Sequence, residues 1–365
     1  MSDISWWWTD FGQDQIDKIS ESIKHGYISQ GSVTAEFESR ITDILQVPYV
    51  VATTNGSTAL LMALLAAGVG PGDEVIVPNR TWIATAHAPL LLGATVVLVD
   101  VEPGSTNMDT AQLQKKLTTQ TKAIMPVHLN GRSAAMGEIN RIASEYGVMV
   151  IEDAAQAFCS RNINGFLGTQ SFAGCFSMAL GKLISTGQGG FVVTRDEQTF
   201  NTLTAIRSHG LSDVIDVTYN VHPGFNFKYT DIHASMAIPQ LDQLPKRINR
   251  VREIYERYVS VMDELPFLKF LPVNLEAGEI PIYNEVLCSE RNKLVQFLDD
   301  QNIQARPFAP DLNLATYFGN TGRYPNSEIF GNQGLCLPCG PGQSLDNIDR
   351  VIDALFAFRD RVNHV

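Results

Sequence analysis

From Phe172 to Val193 the sequence carries one charged side chain, Lys182, with MALG before it and LISTGQGG after. Most lysines are simply solvated, and an exposed structural lysine is the ordinary reading. An amine held among apolar neighbours differs, because desolvation lowers its pKa and leaves it nucleophilic, as carbonyl-binding lysines must be. Ser177 stands ahead of it, and the glycines behind it let backbone approach a bound group closely. Asp153 ends the apolar run VMVIED and Gln156 follows, in a place where acids are costly unless solvated or paired. The two read either as a strand-end cap or as a carboxylate aimed at a cationic ring nitrogen, with an amide donating to a ring oxygen. Asn55-Gly56-Ser57 follows the run YVVATT and leads into Ala- and Leu-rich helix formers. The free N–H groups opening that helix suit a phosphate, with the Ser57 hydroxyl as a further donor, and a plain N-cap fits equally well.

The elements that must position these residues are short β-branched runs: YVVATT, EVIVP, ATVVLVDV, KAIMPVHL, VMVIED, GCFSMAL and GFVVT. Most are separated by helical patterning such as STALLMALLAAG, TAQLQKKL and MGEINRIASEYG. That alternation predicts an α/β fold with a largely parallel sheet covered on both faces. The last run follows the sixth after a short Gly-rich connection, which allows a mixed sheet there. Ligands of such sheets bind at the carboxyl ends of the strands, where the residues above fall. From about Leu244 the texture changes. KRINRVREIYERYVSVMDEL reads as a long amphipathic helix with Ile248, Val251, Ile254, Tyr255 and Tyr258 on one face. Short strands (FLKFLPV, EIPIYNEVLC) and helices around RNKLVQFLDDQ and NIDRVIDALFAF follow. The expected division is a large domain, 1–243, and a smaller α+β domain, 244–365.

Composition narrows the chemistry. A chain of 365 residues with 44% hydrophobic and 18% charged content is that of a soluble globular protein. Its formal charge of −12 argues against non-specific binding to nucleic acid or an anionic membrane, both of which need a basic surface. MSDISWWWTDFG lacks the basic and apolar regions of a signal peptide, and no run is long enough to span a bilayer. Five scattered cysteines fit a reducing cytosol. Cys336 and Cys339 form a lone C-x-x-C without a His cluster, so the expectation is a buried strand ended by Pro and Gly, and no metal. NGSTAL lacks the G-x-G-x-x-G spacing of a nicotinamide site. A phosphate cradle, a carboxylate for a pyridinium and a desolvated lysine are together the parts that pyridoxal phosphate requires.

The chain also resembles the nucleotide-sugar aminotransferases of the fold-type I, aspartate aminotransferase-like pyridoxal phosphate enzymes, the DegT/DnrJ/EryC1/StrS family. The resemblance runs from GYISQGSVTAEFE through TNGSTALLMALLAAGVGPGDEVIVP, TWIATAHAPLLLGATVVLVDV, VIEDAAQAF, FSMALGKLISTGQGGFVVT and GFNFKYTDIHASMAIPQL to GLCLPCGP. It implies a mostly parallel seven-stranded sheet and a homodimer with active sites at the subunit interface. Lys182 would form the Schiff base and shuttle the proton, Asp153 would pair with the pyridinium nitrogen, and Gln156 would meet the phenolic oxygen. Gly56, Ser57 and Ser177 would hold the phosphate, Trp82 would stack on the ring, and Asn226 would reach the phosphate of the neighbouring subunit. Four places depart from the family pattern: MALG before the lysine, Gln188 for a glutamate, Lys228 for the arginine of Asn-x-Arg, and Asn130 for an aromatic residue.

By the same resemblance the donor is L-glutamate. GKLISTGQGG is similar to perosamine-synthase-like members, so the implied acceptor is a nucleotide-linked 4-keto-6-deoxyhexose. The product would be an amino sugar for a surface polysaccharide, such as the O-antigen of lipopolysaccharide, or for a glycoside. Arg80, Arg132, Lys228 and Arg306 are candidate partners for its diphosphate or for the donor carboxylate, and each reads equally as a solvated charge. One rival is a dehydratase of the same family, which carries His in place of the lysine. Another is a non-catalytic regulatory member, which would stay colourless with added cofactor. The SWWW segment reads as a cover for the core or for a dimer seam.

Overall fold

The computed structural model describes residues 4–211, 222–318 and 322–363. All seven apolar runs become strands of one sheet. They are β1 (Tyr49–Thr53), β2 (Glu74–Pro78), β3 (Thr95–Val99), β4 (Thr121–Ile124), β5 (Met149–Asp153) and, after a small ribbon of β6 (Arg161–Asn162) and β7 (Gly165–Phe166), β8 (Ala173–Ser177) and β9 (Gly190–Thr194). The order is β1-β9-β8-β5-β4-β2-β3. Pairing from β3 to β8 is parallel, and β9 runs antiparallel to both β8 and β1. That reversal comes from the loop between β8 and β9. The Met178 N–H donates to the Gly189 carbonyl at 2.8 Å, closing the loop so that the chain re-enters beside β8 in the opposite direction. Gly190 has no alternative there, since a Cβ would lie 2.5 Å from the Asn55 carbonyl carbon. The loop so formed carries Lys182.

Helices flank the sheet: α1 (Gln13–Lys24), α2 (Ser32–Leu45), α3 (Gly56–Ala66), α4 (Ala84–Leu91), α5 (Thr110–Lys116), α6 (Met136–Tyr146), α7 (Glu197–Arg207) and α8 (Asp231–Asp242). Of these α3 is apolar nearly all round and packs against β8 and β9, with Ala59, Leu60, Met62, Ala63 and Leu64 buried. A helix without a polar face is stable only when covered on most sides.

The long amphipathic helix is α9 (Leu244–Val259), which buries Val251, Ile254, Tyr255 and Tyr258 and packs Ile248 at the edge of the core. Beyond it lie β10 (Leu268–Phe270), β11 (Asn284–Cys288), α10 (Arg291–Asp300), β12 (Arg306–Pro307), α11 (Pro325–Gln333), β13 (Gly334–Leu337) and α12 (Leu345–Asn363). The four strands form an antiparallel sheet in the order β10-β11-β13-β12. Its register sets Glu285 and Arg306 on either side of Cys336, so all three share one face. The N-terminal segment joins this second sheet: Ile4 bridges to Ile303 and Trp7 to Cys339, both in parallel sense. Among the described residues no helix is long and apolar enough to cross a membrane.

Candidate active site

At the start of α3, Asn55 caps the helix, its Oδ1 accepting the Thr58 N–H at 2.9 Å. The amides of Gly56 and Ser57 come before the first intrahelical bond and keep their donors for another acceptor. Opposite them, Ser177 ends β8. A Cβ added to Gly56 would lie 2.8 Å from the Ser177 Cβ, so only glycine lets the end of β8 come this close to the start of α3. Helix-start amides, two hydroxyls and the positive end of the helix dipole make an anion cradle.

Asp153 ends β5 and is buried. Its carboxylate accepts the Thr85 hydroxyl at 2.7 Å and the Ala155 N–H at 3.1 Å. Burial nonetheless raises its pKa, against the lowering effects of Thr85, Ala155, Lys182 and His128. A buried carboxylate so placed calls for a cationic partner, and a protonated ring nitrogen is one. Nearby, the Gln156 Oε1 accepts the Asn130 N–H at 2.9 Å. An N–H group can only donate, so the acceptor end of the amide is occupied and its NH2 is the end left to meet a ring oxygen. Asn130 is held in the left-handed region, at φ 56°, and its side chain both donates to the Tyr283 carbonyl (2.8 Å) and accepts the Tyr283 N–H (2.5 Å).

Lys182 lies on the turn after β8, its N–H donating to the Ala179 carbonyl at 3.1 Å. It is half-buried, and the protein packed round its amine pushes the pKa down from 10.5 to about 8. The Asp153 carboxylate opposes that shift and the Arg306 guanidinium adds to it. Next to it the Tyr283 hydroxyl donates to the Gly181 carbonyl at 2.8 Å. Trp82 presents its ring to the open side at 52% exposure.

The four candidate cations part company. Arg80 pairs with Asp311 at 2.8 Å and also donates to the Ala309 carbonyl. Arg132 pairs with Glu285 at 2.6 Å and donates to the carbonyls of Pro272 and Leu271. Both pairs are buried, so these two guanidinium groups are committed to protein partners. Lys228 is half-buried beside Thr53, and Asn226 is exposed on a segment bridged to Ser208. No hydrogen bond among the described residues joins Asn226 to the Lys182 group. Arg306 is exposed and lies over the rings of Trp6 and Trp82.

Sequence reasoning passed over Thr85, Tyr283 and the functional placing of Trp6. Thr85 stood in TWIAT beside Trp82, and the run of three tryptophans was itself a signal without an address. Tyr283 carried no local signal at all. Together these groups fit pyridoxal phosphate: the α3 amides with Ser57 and Ser177 would hold its phosphate, Asp153 its ring nitrogen, Gln156 its ring oxygen, and Lys182 its aldehyde.

Comparison with known proteins agrees with that fit. The DegT/DnrJ/EryC1/StrS aminotransferase family matches residues 9–356. A GDP-perosamine synthase of Caulobacter vibrioides is 33% identical over 351 residues, covering 94% of each chain. Among solved structures, a DegT DnrJ EryC1 StrS aminotransferase from Brucella abortus superimposes with a TM-score of 0.89 at 29% identity, covering 95% of both chains. A sugar aminotransferase from Streptococcus pneumoniae in its PLP-form superimposes with a TM-score of 0.92 at 25% identity, covering 98% of this chain and 99% of the other. The family model spans nearly the whole chain and the similar structure carries the cofactor, so this chain belongs to the DegT/DnrJ/EryC1/StrS aminotransferase family and uses pyridoxal phosphate.

Proposed function

We propose that the protein moves the amine of L-glutamate to a nucleotide-linked 4-keto-6-deoxyhexose, making an amino sugar for a surface polysaccharide, and that it works as a cytosolic homodimer. The observation that carries this reading is the Lys182 amine, its pKa lowered to about 8, on the turn beyond the strand ends that carry Asp153 and Ser177. When bound, pyridoxal phosphate supplies a carbonyl that carries the amine between substrates and a ring that takes up the electron pair. The chain does the rest. Asp153 holds a proton on the ring nitrogen, and Gln156 and Trp82 fix the ring's tilt. Lys182 Nζ takes the proton from the donor's α-carbon in the first half and gives one to the formerly ketonic sugar carbon in the second.

The acceptor is supported by the relative named GDP-perosamine synthase, together with the GKLISTGQGG stretch. The dimer is supported by the Phe225 and Asn226 side chains, both exposed on a segment that the chain holds mainly through its backbone, to Ile206, Arg207, Ser208 and His209, with the Thr53 hydroxyl donating to the Phe227 carbonyl. Asn226 would reach the partner's phosphate. Five buried free cysteines suit a reducing compartment. The test incubates the protein with glutamate and a panel of nucleotide ketosugars, following amino-sugar formation by mass spectrometry. A nucleotide-linked 4-ketone should be aminated. Success confined to free keto acids or aldehydes would remove the sugar reading and keep the cofactor.

A further inference from the structure

We propose that Arg306, clasped between the rings of Trp6 and Trp82, is the binding site for the α-carboxylate of the amino donor. This rests on the aminotransferase reading above and names the donor subsite within it. The Arg306 guanidinium carbon lies 4.4 Å from the Trp6 ring centroid and 5.8 Å from that of Trp82. Aromatic rings attract a guanidinium without accepting its N–H groups in ordinary hydrogen bonds, so those donors stay free, and they are the ones that grip a carboxylate in bidentate fashion. Among the described residues no carboxylate pairs with Arg306 and no group accepts a hydrogen bond from its guanidinium, whereas Arg80 and Arg132 are spent on Asp311 and Glu285.

Position decides which anion the site takes. Trp6 borders the lysine turn: a Cβ on Gly181 would lie 3.4 Å from the Trp6 ring and 3.4 Å from the Tyr283 hydroxyl. Trp82 borders the ring end, with its carbonyl 3.0 Å from the Thr85 hydroxyl that is bonded to Asp153. Arg306 therefore bridges the two walls of the reaction space, and its charge is felt at the Lys182 amine. An α-carboxylate hangs directly on the carbon whose proton Lys182 takes. A nucleotide diphosphate is held away from the ketonic carbon by the width of the sugar ring. A cation this close to Lys182 suits the first anion and not the second. The N-terminal segment gains a role as well: by pairing with Ile303 and Cys339 it carries Trp6 to the strand that bears Arg306.

The experiment separates the half-reactions in the holoenzyme. Absorbance follows conversion of the pyridoxal to the pyridoxamine form by glutamate, and the second half is run from the pyridoxamine form with ketosugar. In Arg306→Gln the glutamate concentration for half-conversion should rise about 10- to 100-fold, the scale of a charged hydrogen-bonded pair. The ketosugar KM should stay within about twofold, and Arg306→Lys should recover part of the loss. Trp6→Leu should raise the glutamate requirement less than Arg306→Gln does. A second readout needs no turnover: glutarate, a dicarboxylate without an amine, should change the tryptophan fluorescence of the wild type and not of Arg306→Gln. An unchanged glutamate half-reaction, a loss confined to the ketosugar half, or wild type blind to glutarate would each overturn the proposal. If glutamate converts the cofactor in an Arg306-dependent way but no nucleotide ketosugar is aminated, the sugar reading fails and the donor subsite stands.

Discussion

At the residue scale the chemistry comes down to one amine and the two charges beside it. At pH 7 a lysine with a pKa of 10.5 is neutral in roughly one molecule in three thousand, and one at about 8 in about one in ten. That difference is what burial of Lys182 achieves. The neighbours act with opposite signs: the Asp153 carboxylate favours the ammonium, and the Arg306 cation disfavours it. Borohydride trapping of pyridoxal phosphate on the cofactor-free protein, followed across pH by peptide mapping, should therefore label Lys182 with a midpoint near 8. Asp153→Asn should move that midpoint down and Arg306→Gln should move it up. A midpoint near 10 in all three proteins would show that the amine is solvated, as the ordinary reading of a lone lysine has it. Lys182→Ala should abolish turnover and leave cofactor that dialyses away without reductive labelling.

At the scale of elements, the strands and helices that carry these residues were legible because each announces itself locally. The β-branched runs became β1 to β5, β8 and β9, and the Ala- and Leu-rich stretch after Asn55 became α3. What local pattern leaves open is the partner a polar side chain finds far along the chain. Arg132 meets Glu285 across 153 positions and Arg80 meets Asp311 across 231, so both read as free cations until the fold spends them. Asn130 is similar: in the sequence it is only a departure from the family pattern, and in the fold it ties the Gln156 amide to the backbone of Tyr283. The start of α3 was open between cap and phosphate cradle; the structure shows the cap, with Asn55 accepting the Thr58 N–H, and sets Gly56 against Ser177, where the cradle reading puts the phosphate. Gly56→Ala tests the second. An alanine gains about 1 kcal/mol of helix propensity, but crowding Ser177 costs about 1–3 kcal/mol. The apoprotein should thus melt within a few degrees of wild type or slightly below it. Its hold on pyridoxal phosphate should weaken at least about tenfold, measured by fluorescence titration, as the strand end moves off the phosphate. Unaltered cofactor affinity would mean that the phosphate sits elsewhere.

At the scale of the whole molecule, the site lies where two sheets meet, and buried charge clasps them there. Arg132 follows β4 of the large sheet and Glu285 lies in β11 of the small one; Arg80 follows β2 and reaches Asp311 beyond β12. Such pairs gain little over well-packed apolar residues, but breaking one by halves leaves a buried charge uncompensated, at about 3–5 kcal/mol. Arg132→Ala should therefore lower the urea midpoint strongly, since Glu285 is only 4% exposed and pairs with no other cation among the described residues. The double variant Arg132→Met, Glu285→Leu should recover part of that loss. Recovery stays incomplete because Arg132 also donates to the carbonyls of Leu271 and Pro272, and each buried acceptor left bare costs about 1–3 kcal/mol. Where the double variant folds, its glutamate KM should lie within about twofold of wild type, for the guanidinium that meets the donor is the one between the tryptophans. If instead Arg132→Ala melts like wild type and loses its grip on substrate, then Arg132 faces the ligand in solution and the clasp between the sheets must be sought in other contacts.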